Sequence, residues 1–310
     1  MTKKIRIATR SSKLALWQAN WIRKRLEGIH QDLSVELIHL KTKGDKILDV
    51  PLAKIGGKGL FVKELETALL ENRADIAVHS LKDVPTEFPE GLEISVFTKR
   101  EVPGDAFVSN KFDRIESLPE NAVVGTSSLR RIAQLKKVRP DIQFKSLRGN
   151  VETRLRKLDN GEFDAIILAA AGLIRLGLDN RLTRLLHHDI SLPAIGQGVV
   201  CIESRIGDES ILKRISPLGD VETAMNVSAE RGLLKRLNGG CQVPIAGHAV
   251  TEGNQIHLTG VLASPDGDRF LKMTETGSLT DSVNIGIRLG TRLLEAGGRE
   301  ILALVGIKAD

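Results

Sequence analysis

The chain has 310 residues, 41% hydrophobic but only 3% aromatic with no tyrosine, and 45 Lys+Arg against 39 Asp+Glu give a net charge of +6. That length suits two or three domains with aliphatic cores, and the cation excess favours an anionic partner. A tyrosine acid is excluded, two cysteines forty positions apart make neither a metal pattern nor a disulfide framework, and no apolar run nears the ~18 residues of a membrane span.

The start, Met1-Thr2-Lys3-Lys4-Ile5-Arg6-Ile7-Ala8, is basic but has no apolar stretch of a signal peptide, so a cytoplasmic chain is expected. Ile5–Ala8 reads as a strand, and Ser11 or Ser12 caps a helix whose Leu14, Trp17 and Trp21 share a face. Strands follow at Val35–Leu40, Ala74–His79 and Leu92–Thr98, with Phe61, Leu65, Ala68 and Leu69 marking a helix between the first two. This alternation predicts a parallel, doubly wound sheet with helices on both faces. Thr42–Gly59, rich in glycine and lysine with weak periodicity, is expected to be a mobile lid. Its Gly56-Gly57-Lys58-Gly59 lacks phosphate-loop spacing, and no Gly-x-Gly-x-x-Gly occurs, so a nucleotide site is rejected.

From Pro103 the pattern restarts. Strands are expected at Ala122–Gly125, Ile142–Leu147 and Ala165–Ala170, a helix at Leu129–Val138, and a second helix capped by Asn150 and carrying Val151, Leu155 and Leu158. Val199–Glu203 then reads as a strand returning to the first unit, as a two-lobed hinge architecture requires. The last segment differs: a helix at Val221–Leu237, strands at Val243–Thr251, Gln255–Ser264 and Arg269–Thr276 joined by glycine turns, then helices near Val283–Glu295 and Glu300–Val305. The expected architecture is α/β: two doubly wound lobes, residues 1–98 with 199–217 and residues 99–198, plus an α+β domain with a three-stranded antiparallel sheet at 218–310.

Several strands end in small polar residues plus a cation: Thr9-Arg10-Ser11-Ser12, Ser80-Leu81-Lys82-Asp83, Gly125-Thr126-Ser127-Ser128-Leu129-Arg130-Arg131, and Arg148-Gly149-Asn150 with Arg154 beyond. Small residues let amides approach an anion, and hydroxyls add donors. Ligands of such sheets lie beyond the carboxyl ends of the strands, so Arg10, Lys82, Arg130, Arg131, Arg148 and Arg154 are expected around one cleft. Any one of them taken singly could equally be a solvated surface cation. A polycarboxylate or phosphate suits the set; nucleic acid suits it less, because the cations form no stripe and few aromatics are available to stack on bases. Asp83, an acid among cations, either caps the turn before Val84-Pro85 or stabilises a developing positive charge and moves a proton. His79 reads as a hydrogen-bonded structural residue. Gly239-Gly240-Cys241-Gln242-Val243-Pro244 puts a thiol on a turn, where it is either a small buried side chain or a covalent attachment point. Cys201, inside an apolar strand, reads as structural.

Six stretches resemble the porphobilinogen deaminase (hydroxymethylbilane synthase) family in the right order: Arg6 to Leu16, Lys54 to Glu64, His79 to Pro85, Gly125 to Arg131, Leu147 to Val151 and Gly239 to Pro244. The resemblance covers nearly the whole chain. It implies three domains, the first two related to two-lobed periplasmic binding proteins. It also implies a transferase of tetrapyrrole and heme biosynthesis that joins four porphobilinogen molecules head to tail with loss of ammonia, then releases hydroxymethylbilane by hydrolysis. The family's dipyrromethane cofactor hangs by a thioether from the cysteine matching Cys241, and its catalytic aspartate matches Asp83. Cofactor positions match Lys82, Asp83, Thr126, Ser128, Arg130 and Arg131, substrate positions match Arg10, Ser12, Arg148 and Arg154, and the mobile loop matches Lys54, Lys58 and Phe61. The implied enzyme is a monomer acting on porphobilinogen, without metal, nucleic acid or membrane. The alternative from another class is a non-catalytic two-lobed polyanion-binding module. Gly104, where many members have arginine, and Ser204, where cysteine is common, depart from the pattern outside these positions.

Overall fold

The computed structural model describes residues 3–46, 59–239 and 243–307. The first strand, β1 (Lys3–Arg10), leads into α1 (Lys13–Ile29) and the parallel partner β2 (Leu33–Leu40). Ser12 caps α1, its hydroxyl accepting from the Ala15 amide at 3.3 Å. The apolar residues that α1 buries are Ala15, Ala19, Ile22 and Leu26. Alanines let a helix approach a sheet closely. Trp17 and Trp21 are half-buried and stack on each other with ring centres 6.2 Å apart, and Trp21 also packs against the cluster of Ile5, Ile22 and Leu26.

The chain continues through α2 (Lys63–Leu70), β3 (Ile76–Ser80) and β4 (Leu92–Phe97). It then builds a second sheet from β5 (Asp105–Val108), β6 (Val123–Gly125), α3 (Leu129–Val138), β7 (Gln143–Lys145), α4 (Val151–Asp159), β8 (Ala165–Ala169), α5 (Ala170–Arg175) and β9 (Arg184–Leu185). It returns as β10 (Val200–Arg205) and α6 (Glu209–Ile215).

The two sheets follow one plan, with strand orders β2-β1-β3-β10-β4 and β7-β6-β8-β5-β9. The first three strands of each are parallel, the fourth is antiparallel to both of its neighbours, and the fifth lies at the edge. Each sheet is therefore mixed, not wholly parallel. In each, the antiparallel strand is the one made on arrival from the other sheet. Of the strands, β5 and β9 had no counterpart in the sequence reading: four and two residues are too short for a periodic signal.

Both faces of the second sheet are covered, which explains the unbroken apolar run of β8. Ile166 and Leu168 join Ala106, Val108 and Leu155 in one cluster, while Ala165 and Ile167 join Phe107, Val124 and Leu135 in another. In the first sheet Ile5, Ile7, Ile76 and Val78 share one cluster, and Ala8 and Ala77 pack with Leu65 and Leu69 of α2 on the opposite face.

After α7 (Val221–Arg236), the strands β11 (Ile245–Glu252), β12 (Gln255–Ala263) and β13 (Phe270–Ser278) form an antiparallel meander. Glu252 faces Gln255 across a two-residue turn, where Gly253 takes a positive φ of 59° that glycine adopts without strain. α8 (Ser282–Leu293) and α9 (Arg299–Ala303) complete this part, Ile285, Leu289 and Leu293 packing with Leu233, Leu258 and Leu262.

Among the described residues the chain forms two compact units, one from segments within 1–101 and 199–224, the other from 102–198 and 225–310. No helix among them is long and apolar enough to cross a membrane.

Candidate functional site

In the first unit, β1 and β3 are parallel, so Arg10 and the turn after Ser80 leave the same edge of the sheet. That turn, Leu81–Asp83, is a single 3-10 turn. The Leu81 amide donates to the Val199 carbonyl at 3.0 Å, and the Val84 amide donates back to Leu81 at 3.0 Å. Gln18 Nε2 of α1 donates to Ser80 Oγ at 2.8 Å. One residue earlier, His79 Nε2 lies 2.9 Å from Glu203 Oε2 in β10, both side chains buried. His79 is thus part of the support of the turn. Leu81 is buried, while Lys82 and Asp83 are half-buried at the rim.

The Arg10 guanidinium stacks over the Phe61 ring, 4.3 Å from its centre. Gly44 also lies against Phe61: a Cβ there would overlap the ring carbons. The Gly44 amide donates to the Leu60 carbonyl at 3.0 Å and the Lys43 amide to Glu64 Oε1 at 2.9 Å, so residues 43–44 and 60–64 are fastened together. The structure therefore brings Arg10 and Phe61 into contact. Ser12 uses its hydroxyl to cap α1.

In the second unit β6 and β7 are parallel, so the turns carrying Thr126 to Arg131 and Leu147 to Asn150 leave one edge. Ser127 ties them: its Oγ meets Ser146 Oγ at 2.9 Å, donates to the Leu147 carbonyl at 3.0 Å and accepts the Leu147 amide at 3.0 Å. The Thr126 hydroxyl accepts from the Ser128 amide, and the Ser128 hydroxyl caps α3 by accepting the Arg131 amide at 3.4 Å. Asn150 caps α4 through the Thr153 amide at 2.9 Å, and Arg154 Nε donates to the Gly149 carbonyl at 2.8 Å. Gly149 has φ +113°, and a Cβ there would sit 2.7 Å from Thr153 Cγ2, so the backbone bearing Arg148 is shaped by glycine.

The first turn of α3 holds two buried guanidiniums, Arg130 and Arg131, each with 6% of its surface exposed. A helix N-terminus disfavours cations. The offset comes from Asp105 in β5, which is fully buried. Arg130 Nη1 and Arg131 Nη2 donate to its carboxylate at 2.8 and 2.7 Å, with Ser191 Oγ at 2.7 Å and Gln197 Nε2 at 3.0 Å. Burial alone would raise the Asp105 carboxyl, but the two adjacent arginine charges and their hydrogen bonds win and hold it far below the usual carboxylate range. Burial draws the Arg131 guanidinium below the ordinary arginine range, with Asp105 opposing and Arg130 adding to the shift.

Asp105, Ser191, Gln197 and the bridging role of Ser127 are not among the residues expected from the sequence. Two arginines in the first turn of a helix were the available signal, because they call for a counter-charge from elsewhere. Cys241, Lys54 and Lys58 lie outside the described residues.

Among solved structures, a nutrient binding protein from Burkholderia cenocepacia bound to methionine is similar at 12% identity, over 68% of this chain and 90% of that one, with a TM-score of 0.43. The periplasmic VFT2 domain of Bordetella pertussis BvgS is similar at 16% identity, over 71% and 90%, with a TM-score of 0.41. Two family models match the sequence: "Porphobilinogen deaminase, dipyromethane cofactor binding domain" over residues 5–213, and "Porphobilinogen deaminase, C-terminal domain" over residues 224–295. The match selects an enzyme over the non-catalytic anion-binding alternative. With nearly its whole length so matched, the chain belongs to the porphobilinogen deaminase family, transferases of tetrapyrrole synthesis with hydroxymethylbilane synthase activity and a dipyrromethane cofactor.

Proposed function

We propose that this chain condenses porphobilinogen at the strand-end turns of its α/β sheets, with Asp83 as the catalytic residue and Cys241 as the thioether anchor of the cofactor. Lys82, Asp83, Thr126, Ser128, Arg130 and Arg131 hold the cofactor. Arg10, Ser12, Arg148 and Arg154 hold the carboxylates of incoming substrate, and Lys54, Lys58 and Phe61 take the loop role that the family resemblance implies. Residues 1–98 with 199–217, 99–198 and 218–310 act as three domains of a cytoplasmic monomer that uses no nucleic acid.

One observation carries the reading: within each sheet the turns bearing these cations follow parallel strands and leave the same edge, where ligands of α/β sheets bind. The donor set fits the cofactor, since pyrrole rings bearing acetate and propionate groups need guanidiniums and hydroxyls, and Arg130, Arg131, Thr126 and Ser128 cluster at one helix start. When bound, the cofactor supplies the pyrrole α-carbon on which the chain is extended. Asp83, on the same edge as Arg10 and Lys82, accepts pyrrole N–H groups and stabilises the positive charge that develops as ammonia leaves. Phe61 holds the Arg10 guanidinium by its face, which keeps its plane of N–H donors oriented for a carboxylate.

Intact-protein mass and porphobilinogen consumption test this. Wild type is expected to carry a two-pyrrole adduct that Cys241→Ser lacks, whereas Asp83→Asn keeps the adduct and loses about a hundredfold or more in turnover. The same adduct on Cys241→Ser removes the anchor assignment. Near-normal consumption by Asp83→Asn removes its catalytic role.

A further inference from the structure

We propose that Asp105 is a positioning residue that sets both the aim and the net charge of the arginine pair at the start of α3. The inference rests on the reading that Arg130 and Arg131 hold the cofactor, and it assigns to Asp105 what makes that pair selective for a carboxylate.

Six donors converge on the two oxygens of Asp105. Oδ1 accepts from Arg130 Nη2 at 3.2 Å, Arg131 Nε at 3.0 Å, Arg131 Nη2 at 2.7 Å and Gln197 Nε2 at 3.0 Å. Oδ2 accepts from Arg130 Nη1 at 2.8 Å and Ser191 Oγ at 2.7 Å. The outer edges of the guanidiniums are held as well: Arg130 Nη1 donates to the Leu192 carbonyl at 2.6 Å and Arg131 Nη1 to the Ile167 carbonyl at 2.8 Å. Leu192 is itself clasped by Gln134, which accepts its amide at 2.8 Å and donates to its carbonyl at 3.1 Å. Both guanidiniums are therefore fixed in place and direction by groups from β5, β8, α3 and the segment before β10.

Among the described residues the charge does not close. Two guanidiniums and one carboxylate leave one positive charge in a buried cluster, at the positive end of a helix. A device that served folding alone would gain from neutrality, because an uncompensated buried charge is costly. One excess charge is what a site for a single carboxylate group needs. With no Asp105 the pair would carry two, repel itself and take up any small anion; with a second acid it would take up none.

The test uses the full chain as wild type, Asp105→Asn, Asp105→Glu and Cys241→Ser. Intact mass reads the fraction carrying the adduct, and unfolding midpoints are recorded against rising inorganic sulfate. Asp105→Asn is expected to carry roughly tenfold less adduct than wild type, with a sulfate-induced rise in midpoint about twice that of Cys241→Ser, which keeps Asp105. Asp105→Glu keeps the charge but displaces the oxygens by a methylene. Its adduct is expected to fall about threefold while its midpoint stays close to wild type, a result that holds the proposal open to refutation should the asparagine variant not fold. Full adduct on either variant, adduct falling only in step with midpoint, or equal sulfate responses overturns the proposal. Wild type without adduct would sink the cofactor assignment instead, and the sulfate comparison would still decide the charge-setting role of Asp105.

Discussion

Glu66 is a carboxylate on α2 with only 7% of its surface exposed. Burial, reinforced by the charge of Glu203, raises its pKa to about 7, with His79 and Lys63 opposing. The folded chain thus holds a proton that the unfolded chain releases near the ordinary glutamate value of about 4.3. Its folded-state pKa is raised, so the stability associated with it is full below that ordinary value and falls as pH rises to about 7. Replacing Glu66 by Gln removes the loss. Relative to wild type, E66Q should gain on the order of 2–3 kcal/mol at pH 8 and little at pH 4.5, read from urea unfolding at the two pH values. An equal gain at both would show that burial of this acid is not what costs stability. Asp105 behaves oppositely: its lowered pKa gives a contribution that is full above the ordinary carboxylate range and is lost progressively as pH falls below it. These two acids could not be told apart in sequence, since neither Glu64-Leu65-Glu66 nor Gly104-Asp105-Ala106 discloses what packs above it.

At the scale of elements, the crossing of α7 and α8 depends on two glycines. A Cβ on Gly286 would lie 2.0 Å from the Ala229 carbonyl oxygen and 2.5 Å from the Leu233 nitrogen, and one on Gly232 would lie 2.4 Å from the Val283 carbonyl oxygen. Backbone meets backbone there, so nothing flexible can give. Alanine at 286 gains about 1 kcal/mol of helix propensity. Forcing the helices apart costs about 3 kcal/mol by overpacking and also disturbs Leu233, Ile285 and Leu289 in the core beneath. The clash wins, and Gly286→Ala should lose about 2 kcal/mol in denaturant unfolding; a variant as stable as wild type would mean the helices can separate freely. Elements with strong local signals needed no such tertiary knowledge. α3 begins after Ser128 and ends at Val138 as its cap and Pro140 imply, and α4 follows the Asn150 cap.

For the whole molecule, the placement of β10 has the largest consequence. It lies between β3 and β4, pairing Cys201 with His79 on one side and with Phe97 on the other, and it supplies Glu203 to His79. A fragment ending at residue 101 therefore leaves β4 without a neighbour in its sheet. Residues 1–101 alone are expected to show no cooperative urea transition by circular dichroism, whereas the same fragment linked to 199–224 should unfold cooperatively. A cooperative transition in the short fragment would mean that β10 is an accessory.

Local chemistry was legible throughout: strand and helix periods, the Ser128 and Asn150 caps, the glycine turn at Gly253, and the run of cationic strand ends whose order carried the family resemblance. These signals act over a few residues, so a sequence can state them by itself. Tertiary structure decided which strands are neighbours, that β5 and β10 run antiparallel, and that α1 turns its alanines inward. It also decided that Arg130 and Arg131 share one buried acid. Asp105 lies 25 positions from Arg130 and 86 from Ser191. Only the folding of distant segments against one another, driven by burial and not by local periodicity, could bring such groups within hydrogen-bonding distance.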